Sequence, residues 1–77
     1  MTIVDAERLK NCITSLGAPR NMSEVLLINE MRRELDMVRF HTNPLNADTS
    51  IAMQCAAFAE SNVNSLLYAI RVLRGVA

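Results

Sequence analysis

Apolar residues recur three and four positions apart along three stretches of the chain, each bounded by residues that start or stop helices. The first stretch carries Ala6, Leu9, Ile13 and Leu16, with Cys12 beside them. It opens on Thr2-Ile3-Val4-Asp5, where the Thr2 hydroxyl can cap the third amide and the Asp5 carboxylate can reach back. Gly17 supplies a left-handed cap and Pro19 prevents continuation, so a helix is predicted over residues 3–16. The second stretch restarts at Asn21, a capping residue with Glu24 three positions on, and repeats Ile28, Met31, Leu35 and Val38. Val25 and Leu27 widen this stripe, while Arg32, Arg33 and Asp36 mark a solvated face on which Arg32 and Asp36 stand as an i,i+4 pair. His41-Thr42-Asn43-Pro44 ends this helix, because the residue before proline avoids helical backbone angles.

Asn46 to Ser50 is a run of capping residues, and no glycine or proline follows until Gly75. One helix of about 25 residues, near 40 Å long at about 1.5 Å per residue, is the simplest reading. Ala52, Ala56, Ala59, Val63, Leu66, Ile70 and Leu73 keep the four-three spacing of a coiled-coil seam. Period-two alternation and Asn-Gly or Asp-Gly turns are absent, so no strand is predicted. The expected fold is all-α: an antiparallel helical hairpin, residues 22–41 and 48–74, with a short N-terminal helix over 3–16, in one domain spanning 1–77. An oligomer is expected.

The expectation of an oligomer comes from the third helix, which is longer than the second and apolar over much of its circumference. A helix of that kind is buried on several sides. The seam residues Val63, Leu66 and Ile70 are expected in the intramolecular core, and Phe58, Leu67 and Val72, displaced from the seam, are the expected partner-binding residues. Asn62 and Asn64 fall inside the helix, where better helix formers would cost less, and read as exposed positions, or as a polar residue that fixes register at an interface. Five methionines read mainly as core filler, with only Met31 on a stripe.

Composition narrows the chemistry. A chain of 77 residues buries only about 60% of the surface its unfolded form exposes, and scaffolds this small usually need a disulfide, a metal or a partner. Cys12 and Cys55 stand far apart without a CxxC spacing, and His41 is the one histidine, so no metal site or cofactor is expected and the thiols read as small buried side chains. Partner binding is left as the source of extra stability.

Eight basic residues balance eight acidic ones, which provides no net field to gather nucleic acid or an anionic membrane. The start of the chain lacks the pattern of a secretory signal, and the longest apolar run, Ile51 to Ala59, is broken by Gln54 and followed by Glu60. A cytoplasmic location without a membrane span is therefore expected. Glycine-rich phosphate loops and triad spacings are missing, so an enzyme is not expected.

The reading that follows is a non-enzymatic protein–protein interaction module, a small adaptor, chaperone or inhibitor, working through apolar faces of its C-terminal helix as a homodimer or with a protein partner. The alternative is a small dimeric helical DNA-binding regulator with Arg32, Arg33 and Arg39, or Arg71 and Arg74, on phosphates. Against it, Glu30, Glu34 and Asp36 interrupt the basic cluster, and the turn before the third helix is longer than in helix-turn-helix units. The capped first helix, the Asn-Pro turn and a final helix reading Phe58-Ala59-Glu60-Ser61-Asn62-Val63-Asn64-Ser65-Leu66-Leu67-Tyr68 resemble the small co-chaperones of type III secretion systems. That resemblance, one of architecture and apolar spacing, implies a cytoplasmic heterocomplex with a larger helical-repeat partner that keeps needle subunits from polymerising.

Overall fold

A computed structural model describes residues 5–43 and 50–76, which form three helices and, among the described residues, no strand. Helix α1 spans Ala6–Thr14, α2 Met22–Thr42 and α3 Ser50–Leu73. The end of α3 meets the start of α2, so the two long helices pack as an antiparallel hairpin, and α1 lies across one flank of it. The linker, with Pro44 and the proposed caps at Asp48 and Thr49, lies outside the described residues.

Helix α1 begins later than residue 3. Asp5, expected as the acid inside a capping box, is itself the cap: its backbone is extended, and its Oδ1 accepts the amides of Glu7 and Arg8, each at 3.1 Å. Aspartate ranks above threonine as an N-cap, which explains the shift; Thr2 lies outside the described residues. The far end tightens through i→i−3 bonds from Leu16 to Ile13 and from Gly17 to Thr14, both 3.1 Å, so the helix stops at Thr14 and not at Leu16.

Helix α2 follows its caps closely. Asn21 Oδ1 accepts the Glu24 amide at 3.0 Å, and Asn43 turns extended before Pro44. The anticipated Arg32–Asp36 pair gives way to i,i+3 pairs, Arg39 with Asp36 at 3.8 Å and Arg33 with Glu30 at 3.5 Å. Such exposed pairs contribute about 0 to 1 kcal/mol.

The last turn of α3 closes with two bonds, Gly75 N–H to Val72 O and Val76 N–H to Arg71 O, both 3.0 Å, with Gly75 at φ +74°. That is the Schellman pattern; Gly17, also left-handed at φ +73°, donates to the Thr14 carbonyl after α1. A Cβ at either glycine would meet nothing within 4 Å, so the constraint lies in the backbone alone. Gly75→Ala is therefore expected to lower unfolding free energy by about 1 to 2 kcal/mol, the cost of a left-handed alanine, as read by urea denaturation.

The core is built from Leu9 and Ile13 of α1, Ile28, Met31, Leu35 and Val38 of α2, and Ala59, Val63, Leu67 and Ile70 of α3. Here the expected α3 seam is corrected. Leu67, assigned to partner binding, is only 3% exposed inside the core; Leu66 is half-buried beside it, and Leu73, the last predicted seam residue, is 62% exposed. The heptad count assumed 3.5 residues per turn, whereas a straight helix turns every 3.6 and drifts about 20° per heptad. Two heptads beyond Ala52 the buried stripe has slipped from 66 to 67, giving Ala52, Ala56, Ala59, Val63, Leu67 and Ile70.

One end of the hairpin is fixed by a buried ion pair that no local sequence pattern signals. Arg74, expected among the candidate phosphate contacts, instead places Nη2 and Nε on the two carboxylate oxygens of Glu24, at 2.6 and 3.1 Å. Its Nη1 donates to the Leu16 carbonyl at 2.8 Å, and the Arg20 amide donates to Glu24 Oε1 at 3.0 Å. The cation sits at the negative end of α3 and the carboxylate at the positive end of α2, so both helix dipoles favour the arrangement. Glu24 is 2% exposed, and one guanidinium joins the exit of α1, the start of α2 and the end of α3. The register of α2 against α3 is thereby set, and with it the surface described next.

Candidate functional surface

On both long helices, each core residue has a following neighbour on one flank and a preceding neighbour on the other, because 100° per residue places i+1 and i−1 on opposite sides of position i. Helix α1 covers the following-neighbour flank. Arg8 of α1 reaches Glu60, the residue after Ala59, at 3.6 Å. Lys10, Ile13 and Thr14 of α1 share a cleft with Arg32, Asp36 and Arg39 of α2. This flank mixes polar residues, Asn29, Arg32, Asp36 and Arg39 on α2 and Glu60, Asn64 and Arg71 on α3, with Val25, Met53, Ala57 and Tyr68.

The preceding-neighbour flank has no helix over it among the described residues. On α3 it reads Ile51, Cys55, Phe58, Asn62, Leu66 and Ala69, one residue before each core position, and Leu73 prolongs the row. Ile51 is 69% exposed, Phe58 70% and Leu73 62%, while Cys55, Asn62 and Leu66 are half-buried. The facing row on α2 is Ser23, Leu27, Glu30, Glu34, Met37 and His41. Between the rows, Glu34, Met37 and His41 of α2 and Cys55, Phe58 and Asn62 of α3 line an open groove of about 490 Å³. The His41 ring meets Phe40 edge-on, with centroids 5.2 Å apart.

The expected partner-binding residues thus separate. Phe58 stands on the open flank; Val72 is 51% exposed at its outer margin, two heptads beyond Phe58; Leu67 belongs to the intramolecular core. Ile51, Cys55, Leu66 and Leu73 complete the row. Had a 3.6-residue period been applied to α3, two parallel stripes one residue apart would have emerged, the first buried and the second open. The two asparagines also part: Asn62 lines the groove, and Asn64 is exposed on the flank that α1 covers.

Cys12 and Cys55 are both free thiols. Among the described residues, no three His, Cys, Asp or Glu side chains gather as a metal site, and no helix is long and apolar enough to cross a membrane. Arg33 and Arg39 pair with carboxylates of their own helix, and Arg74 is held by Glu24. Compared with family models, curated proteins and solved structures, the chain matches none.

Proposed function

We propose that this chain is a non-enzymatic protein–protein interaction module, an adaptor, chaperone or inhibitor, that binds through the open flank of its long C-terminal helix. One observation carries the reading: α3 has a second apolar row beside its core row, and Ile51, Phe58 and Leu73 in it are each more than 60% exposed. Covering such a row removes apolar surface from water at roughly 25 cal/mol per Å², a contribution that a chain with so small a core does not obtain internally. Exposed apolar side chains grouped on one flank mark interaction sites. Small hairpins of the type III co-chaperone kind, which this chain resembles in architecture, also act by presenting helix faces to a larger protein. Against the DNA-binding alternative, Arg33, Arg39 and Arg74 are engaged by carboxylates of this chain.

The test is a pair of charge insertions. Phe58→Glu is expected to retain helix content by circular dichroism, because the side chain it replaces is 70% exposed, and to abolish association in a native mass measurement with or without cell extract. Asn64→Glu, on the flank that α1 covers, is expected to preserve both. Association that survives Phe58→Glu, or that is lost equally in both variants, contradicts the proposal.

A further inference from the structure

The open flank is apolar at its two ends and acidic in the middle. Glu34 lines the groove with Met37 and Phe58, and no ion-pair partner reaches it among the described residues. One turn earlier on the same row stands Glu30, whose contact with Arg33 is 3.5 Å long and 43% exposed on the glutamate side. Like charges at i,i+4 repel, and an occupant that covers the apolar ends also removes Glu34 from water. A carboxylate desolvated without a counter-charge opposes binding strongly. A cation carried to the centre by the occupant offsets that cost.

Resting on the interaction reading above, we propose that the flank receives one amphipathic helix of another protein, apolar toward both ends, with an arginine at its midpoint seated on Glu34 and Asn62. The row from Ile51 to Leu73 is about 33 Å long at about 1.5 Å per residue, enough for about six turns of a partner helix. An arginine suits the centre because its planar fork can engage the Glu34 carboxylate with two N–H groups and keep further donors for the amide oxygen of Asn62, which lines the same groove.

A second copy of this chain fits less well. Neither row of the flank contains a lysine or arginine, and His41 is its one basic side chain. A two-fold axis through the middle sets Glu34 and Glu30 against their own copies. An axis near Met37 brings His41 toward the opposing Glu34, but leaves Leu27, Leu66 and Leu73 uncovered at the other end.

The experiment uses the full chain and two fluorescein-labelled helical peptides of about 22 residues, leucine-rich on one face and identical except for arginine or glutamate at the central core-facing position. The arginine peptide is expected to bind at least about tenfold more tightly by anisotropy at physiological salt. Glu34→Gln is expected to erase the preference and Glu34→Arg to invert it, with helix content unchanged in both. Equal binding of the two peptides, or a preference that Glu34→Arg leaves in place, overturns the arginine-centred helix. So does a wild-type chain that binds neither peptide but sediments as a dimer broken by Phe58→Glu, although the interaction reading survives that result. Failure of both peptides, with adsorption to neutral phosphatidylcholine vesicles that Phe58→Glu abolishes, or with no association of any kind, overturns the inference and the interaction reading together.

Discussion

Replacing Leu67 with alanine is expected to destabilise the fold by about 2 to 5 kcal/mol, the range for truncating a buried leucine, and Leu67→Glu is expected to leave the chain unfolded. The side chain is 3% exposed and packed with Val63 and Ile70 against the α2 row of Ile28, Met31, Leu35 and Val38. Alanine there removes transfer free energy and leaves a cavity in the packed core. Glutamate buries an uncompensated charge. The comparison that gives the result its force is Leu66, one residue earlier and half-buried at the edge of the open flank. Leu66→Ala is expected to cost distinctly less. Urea unfolding followed by circular dichroism measures both, and equal midpoints for the two alanine variants would show that the faces of α3 have been placed wrongly.

Arg74→Ala is expected to be among the most damaging substitutions of a charged residue, well beyond removal of the exposed partner Arg33 or Arg39. It strips the Glu24 carboxylate of its bidentate cation and leaves the Leu16 carbonyl without the guanidinium donor. Arg74→Lys restores the charge without the fork and should recover only part of the loss. The same pair predicts an acid dependence. The hydrogen bond from Arg74, the leading influence, outweighs burial and holds the Glu24 carboxyl below its ordinary value of 4.5. A carboxylate whose pKa is depressed on folding contributes stability that is full above its unfolded value and disappears as pH falls through the folded one. Wild-type stability should therefore decline as pH drops below about 4.5, and the slope attributable to this group should be absent in Glu24→Gln. Arg74 itself is raised by Glu24, which keeps it charged throughout any usable range. Urea midpoints across pH 3 to 7, about the span over which carboxylates titrate, check this.

The three helices were legible in the sequence because their boundaries are set by local chemistry. Asn21, Asn43 before Pro44, Gly17 and Gly75 act on backbone within a few residues, and each works where its position implies. Asp5 shows the limit of that reading, since either it or Thr2 could cap and only the relative strength of the two caps decides. The faces of α3 were harder to read. A four-three count finds Ala52, Ala56, Ala59, Val63 and Ile70 but misplaces the core at Leu66 and Leu73, because a helix of 3.6 residues per turn drifts about 20° per heptad from a 3.5 period. The shift of one residue exchanged Leu66 for Leu67 and placed Leu66 and Leu73 in the core seam instead of in the open row with Ile51, Cys55 and Phe58. The Glu24–Arg74 pair was invisible for a different reason. It joins residues fifty positions apart, and nothing in either local neighbourhood signals that a helix cap and a distant helix end will share one pocket.

The central claim, that the open flank of α3 is the surface on which this protein works, is tested most directly by photo-cross-linking in its own cells. A photoreactive phenylalanine analogue is placed at Phe58 in one variant and at Asn64 in another, both exposed, on opposite sides of the same helix. A defined protein adduct formed from position 58 and none from position 64 is the predicted result. Adducts from position 64 alone, or none from position 58 in a chain that is folded and expressed, would contradict it.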